Sequence, residues 1–281
     1  MSSIYKYTQY RPEFFENFFL KISMFGEFND PFEMVMGNYL SSLPEEEYDE
    51  MVSYSQKLSD PASYTEVYWD AQCGVRASVG VLCFTSKEDN LLMWSHYAQN
   101  HEGICIEFDS NAEFFNGKYK DASRDLFGGQ SPVYKYKSRY ENIGVIKPVE
   151  YKIERPTYIE PQELEYNTDS WFVKSPEWEY EEEQRLLLPT DLAEEVEKDG
   201  LILQFYPLDK KDIKSIILGC QMPAKTKKEV YEKCKALGIQ VKEAFIHAHK
   251  FKLEIVNYDE NNQGNYRNQY NLNRVTKWKN S

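Results

Sequence analysis

The sequence contains no apolar run of the roughly eighteen residues that a membrane-crossing helix needs. Its opening, MSSIYKYTQY, lacks the basic-then-apolar pattern of an export signal. The expectation is therefore a cytoplasmic chain with no membrane partner. There is no CxxC pair, and the four histidines and five cysteines fall at spacings that build no zinc site. His96 and His101 lie five apart, which does not place two ligands on one helical face, so no metal is expected. No strict glycine-rich phosphate loop is present, and no Cys–His–Asp arrangement stands out. P-loop chemistry and covalent catalysis therefore lack a sequence basis. Basic charge is scarce too: 46 acids against 33 bases give a net charge of −13, which repels phosphate backbones over most of the surface.

Aromatic residues are plentiful. They make up 15% of the chain, with 22 Tyr and 16 Phe, so rings can fill a core despite low overall hydropathy. The odd number of cysteines, mostly inside VLCF, GICIEF and IILGCQM, reads as reduced thiols packed as small hydrophobes. The length suits one large α+β domain, taken as residues 1–258. Residues 259–281 form a tail rich in Asn and Tyr, and its stretch 261–281 holds four basic residues and no acid.

Alternation predicts strands at IYKYTQY, KISMFGEF (21–28), VGVLCFTS (79–86), GICIEFD (103–109), KPVEYKI (147–153), LILQFYPL (201–208) and IKSIILG (213–219), with closing strands after residue 239. Helices are expected from Pro12 to Phe19, over 32–40, 43–58, 91–100 and 191–199, and over 226–238, the last stopped by Gly238. Residues 111–150, with GG at 128–129, read as loop-rich.

Three blocks could carry chemistry. NDPFE (29–33) is a dense turn whose Asn29 and Asp30 either fix the loop or present polar atoms to a ligand. LLMWSHYA (91–98) packs Trp94, His96 and Tyr97 into four residues, as a core stripe or as walls for a planar ligand. In EWEYEEEQRLLL (177–188), Glu181, Glu183 and Arg185 fall at i, i+2 and i+4 and would share one face of a strand. That block is either a solvated charge run or a pair of carboxylates tuned by an arginine.

Read in order, IYKYT, FNDPFE, VLCFTS, LLMWSHYA, GICIEFD, W-x-Y-E-x-E-x-R and IILG resemble a large bacterial family of a domain of unknown function, over roughly residues 3–256. The layout of that family is similar to that of ADP-ribosyltransferases. The resemblance implies an ADP-ribosyltransferase-like α+β fold, with mixed or antiparallel sheets forming a central cleft flanked by helices. It implies NAD as substrate and Glu183 as the carboxylate that bonds the ribose 2′-hydroxyl, with Glu181 orienting or deprotonating the acceptor. It implies that Asn29, Asp30, Phe32, Trp94, His96 and Tyr97 line the nicotinamide–ribose pocket, that Arg185 pairs with a carboxylate or phosphate, and that the first-strand position falls in Tyr5-Lys6-Tyr7. Lys6 departs from the His or Arg common there.

The expected activity is that of an NAD-dependent mono-ADP-ribosyltransferase. It would act as an intracellular toxin or antiphage effector on a macromolecular acceptor, nucleic acid (RNA or DNA) ahead of protein, with an antitoxin or chaperone partner. The alternatives are a non-catalytic nucleotide-binding module and an NAD glycohydrolase or nuclease.

Overall fold

A computed structural model describes residues 3–25, 27–33, 79–119, 142–156, 168–198 and 200–259. The alternating opening forms β1 (Ser3–Thr8), which leads to one helical turn, α1 (Phe14–Asn17), and to β2 (Phe19–Lys21). β3 (Val79–Thr85), α2 (Leu91–His96) and β4 (Ile104–Asp109) follow as strand, short helix and strand, in the order the sequence predicts. Then come α3 (Glu113–Asn116), the two-residue strands β5 (Lys147–Pro148), β6 (Glu150–Tyr151) and β7 (Val173–Lys174), and β8 (Glu183–Pro189). The remainder is β9 (Glu194–Lys198), β10 (Leu201–Pro207), β11 (Ile213–Leu218), α4 (Ala224–Leu237), β12 (Gln240–Ile246) and β13 (Leu253–Asn257).

The fold is α+β, built on a mixed eight-stranded sheet in the order β13-β12-β11-β4-β1-β3-β8-β5. Within it β11 and β12 are parallel, and α4 makes the crossover that a parallel pair requires. Gly238, left-handed at φ 69, ends that helix where the sequence places its stop. A second sheet runs β2-β10-β9, and β6 pairs with β7.

Period-two alternation sorts the main sheet into two faces. Ile4, Phe84, Ile106, Phe108, Leu186 and Ile216 pack on one side with Phe14, Phe15, Phe114, Phe115, Val230 and Cys234 from the helices. The opposite face carries a smaller apolar cluster of Tyr7, Trp94, Cys105, Ile217 and Ala244. The same face bears a row of polar groups set by register: Glu183 opposite Thr85, Thr85 opposite Tyr5, Tyr5 opposite Glu107, and Glu107 opposite Ser215.

Several expected elements change. The helix expected over 191–199 is a strand: after a short turn at Thr190–Leu192, β9 pairs antiparallel with β10 across Gly200 at φ 76. Acidic helix formers are overridden by the neighbouring strand, which pairs with β2 on its other side. The helix expected from Pro12 shrinks to one turn because Phe18 turns left-handed at φ 53. The strand expected over 21–28 ends at Lys21, apart from an isolated bridge at Ser23. KPVEYKI divides into β5 and β6 around buried Val149. The helix expected over 43–58, most of that over 32–40, the GG pair and the tail from residue 260 lie outside the described residues. Among the described residues, no helix is long and apolar enough to cross a membrane.

Candidate functional site

The site begins with a local break in the chain. Pro176, suited to a first helical position, starts a 3-10 turn that runs to Glu181. Glu182 then adopts a left-handed conformation, φ 42 and ψ 50, before β8 begins at Glu183. Glu181, Glu183 and Arg185 therefore do not share one continuous strand, which corrects the expectation from their spacing. The left-handed residue rotates the chain instead. Glu182 points outward to Ser86 and Lys87, while Glu181 and Glu183 both point inward and are buried.

Their common partner is Lys174 on β7. Its Nζ lies 2.6 Å from Glu181 Oε2, 3.1 Å from Glu183 Oε2 and 3.3 Å from Glu33 Oε2. The Trp178 ring centroid lies 4.7 Å from the same atom. Arg185, fully buried, donates from Nε to Glu183 Oε1 at 2.8 Å and from Nη2 to Glu183 Oε2 at 2.9 Å. It also binds Glu33 and the Trp171 carbonyl. This two-point grip on Glu183 is the strong guanidinium–carboxylate geometry. Tyr97 donates to Glu181 Oε1 at 2.6 Å, and the Glu183 amide donates to the Tyr151 hydroxyl at 2.8 Å.

Burial raises the Glu183 pKa above the ordinary carboxylate value; Lys174 opposes this shift and Glu181 adds to it. For Lys174, burial disfavours the charge, but Glu183 and Glu181 outweigh it and hold the pKa above the ordinary ammonium value. Lys174 is thus a fixed cation and not a proton acceptor. Burial pulls the Arg185 guanidinium down to about 9, with Asp30 opposing, so it too stays charged at neutral pH. Burial, with Glu183 and Glu181 adding, pushes the Tyr151 phenol up to about 12, and burial together with Glu181 raises that of Tyr97. Among the described residues, four carboxyl groups, Asp30, Glu33, Glu181 and Glu183, gather around two cations, Lys174 and Arg185.

A cleft of about 270 Å³ opens beside Lys174 and Glu33, walled by Phe32, Ile153, Arg155 and Ser175. Phe32 is exposed, and the Arg155 guanidinium sits 5.3 Å from its ring centroid. A second cavity, about 470 Å³, shares Lys152, Pro156 and Val173 and continues past Lys147 and Phe172. Among the described residues, no group of three or more His, Cys, Asp and Glu could hold a metal ion.

Of the residues expected in the site, Glu181, Glu183, Arg185 and Tyr97 converge. Asp30 is buried with Oδ1 accepting from the Phe32 amide at 2.9 Å, so it fixes the turn as well as charging the site. Asn29 is exposed and bonds the Tyr97 side chain. His96, also exposed, meets the Tyr180 hydroxyl at 3.2 Å.

Trp94 does not wall the cleft. Asn90 caps α2 by accepting from the Leu92 and Met93 amides, and that orientation buries Met93 and Trp94 on the sheet. The Trp94 indole donates to the Glu88 carbonyl at 2.9 Å and meets Tyr7 edge-on at 5.1 Å. Tyr7 in turn donates to the Lys87 carbonyl. Lys6 donates to the Cys83 carbonyl at 3.1 Å, and Tyr5 neighbours Glu88 and Glu107. Tyr5, Lys6, Tyr7 and Trp94 therefore stand outside the cleft.

Sequence reasoning missed Lys174, Tyr151 and Arg155 and gave Glu33 no role beyond the turn block. Lys174 lies nine residues before Glu183, a separation with no periodic signal, and only the parallel β6–β7 pair brings it inward.

A family model described as protein of unknown function (DUF2971) matches residues 93–186, about a third of the chain. The matched stretch runs from α2 to the middle of β8, taking in Tyr97, Tyr151, Lys174, Glu181, Glu183 and Arg185. The match supports a family of a domain of unknown function over these residues. No curated protein and no solved structure matches the chain.

Proposed function

We propose that this chain is an NAD-dependent mono-ADP-ribosyltransferase with an ADP-ribosyltransferase-like fold, acting on a macromolecular acceptor as an intracellular toxin or antiphage effector. The supporting observation is the convergence of the buried Glu181 and Glu183 on Lys174, which itself lines a cleft. The C1′–N bond of the nicotinamide riboside breaks with its electron pair leaving on nicotinamide, so positive charge develops on the ribose. A carboxylate placed in a desolvated site beside the ribose favours that transition state over the ground state. Glu183, aimed by Arg185, accepts a hydrogen bond from the ribose 2′-hydroxyl. The acceptor atom then bonds to C1′ and passes its proton towards Glu181, which Tyr97 orients. Lys174 screens the two carboxylates from each other's charge.

The test is incubation of the full chain with labelled NAD and cell lysate, followed by protease, DNase or RNase digestion of the labelled product. Label should pass to a macromolecule, and Glu183→Gln should lower transfer by about 100-fold or more, the scale of losing one transition-state hydrogen bond. NAD loss without label points to a glycohydrolase, and NAD binding without turnover to a non-catalytic module. Undiminished transfer by Glu183→Gln sinks the assignment of the carboxylate.

A further inference from the structure

The β12–β13 hairpin ends in His247-Ala248-His249-Lys250-Phe251-Lys252, and Phe251 is fully exposed there. The tip is a built turn and not a frayed one. The His247 amide donates to the Lys252 carbonyl at 3.0 Å, and the Lys252 amide to the Lys250 carbonyl at 2.8 Å. His247 Nδ1 accepts from the amides of both His249 and Lys250, at 3.0 and 3.1 Å. The imidazole thus holds the backbone from inside the turn, and Phe251 projects between two lysines. Ile246, at the end of β12, is also exposed.

Charge narrows what this tip can hold. The chain carries −13, yet no acid occurs from Ala244 to Leu253. Glu254 behind the tip faces His247 Nε2 at 3.7 Å. A polyanion repelled by most of the surface is therefore admitted here. One exposed ring offers far less apolar area than a bilayer anchor needs, since even a single acyl chain binds membranes only marginally. A lone aromatic face flanked by cations does match a nucleobase and its phosphates.

We propose that this tip docks a single-stranded nucleic acid, with Phe251 stacking on a base and Lys250 and Lys252 contacting phosphates. β12 lies five strand spacings from β8 in the sheet order, or about 24 Å. The tip is therefore a remote contact that positions an acceptor without touching the chemistry. The inference rests on the transferase reading only in naming the acceptor class.

A fluorescein-labelled single-stranded RNA oligonucleotide of mixed sequence is titrated with the full chain at low salt, without NAD, and followed by anisotropy. Saturable binding is expected. Phe251→Ala should weaken it by about tenfold, and Phe251→Trp should retain it. Lys250→Ala with Lys252→Ala should make the slope of log affinity against log salt shallower by about 1.4, the value for two phosphates. The proposal is overturned by absent binding, by binding indifferent to these substitutions, or by tip-dependent binding to anionic vesicles without RNA binding. NAD transfer without RNA binding removes the docking site alone, and RNA binding without transfer removes the transferase reading alone.

Discussion

Lys174 holds one ammonium among Glu33, Glu181 and Glu183, and all four side chains are nearly sealed from water. Replacing it with Met leaves three carboxylates facing one another with Arg185, among the described residues, as their buried counterion. The expected loss is about 3–5 kcal/mol, as for other broken buried pairs, read from the denaturant midpoint of Lys174→Met. Adding Glu181→Gln should recover part of that loss by removing one unpaired charge. At this scale the sequence was partly legible. Glu183 and Arg185 share a strand face two residues apart, and their pairing follows from that parity. The inward turn of Glu181 does not, because it depends on a left-handed non-glycine residue at 182. Trp94 on α2 and Tyr97 at its C-cap lie three apart and looked equivalent, but Asn90 fixes the rotation that buries one, and the other donates to Glu181.

Among the elements, the longer strands of the main sheet were legible because their alternation spans two different faces, each carrying a buried apolar cluster, whereas the short β5 was not. Nor was β9: five exposed residues, EEVEK, carry no apolar period, and only the presence of β10 selects a strand. Close packing between elements sets a second expectation. A Cβ added at Gly219 would lie 2.1 Å from the His101 carbonyl oxygen, whereas one at Gly80 would meet the end of the Ile22 side chain, Cδ1, at 2.3 Å. Backbone yields less than a side-chain tip, so Gly219→Ala should cost more than Gly80→Ala. The latter should fall within about 1–3 kcal/mol. Thermal unfolding of the two variants compares them, and Ile22→Val should rescue part of the Gly80→Ala loss and none of that at Gly219.

For the whole molecule, pH links the two ends of the polar row. At Glu107 burial favours the neutral acid, but hydrogen bonds from Lys242, Ser215 and Ser3 together outweigh it and hold the pKa below the ordinary value of 4.5. A carboxyl whose folded pKa lies below its unfolded one stabilises the fold above the unfolded value, and that contribution fades as pH falls through the folded one. Wild type and Glu107→Gln should therefore differ most in melting temperature near neutral pH and converge in acid below about 4.5. Glu183 acts in the opposite sense. Its pKa is raised in the folded chain, so its ionisation costs stability as pH climbs above the ordinary carboxyl value. A melting curve flat across this range in both proteins would contradict these assignments.

The row Glu183–Thr85–Tyr5–Glu107–Ser215 also acts as a check on assembly. Strands with side-chain period two can slip by one residue and still form a ladder, at the cost of turning every side chain over. Here a one-residue slip of β8 or β4 would drive Glu183 or Glu107 into the phenylalanine-lined side of the sheet, stripped of Lys174 or Lys242. The ionic centres at the two ends thus penalise mispaired topologies much as a key's teeth reject the wrong lock, and the same charges proposed for chemistry also help single out one fold.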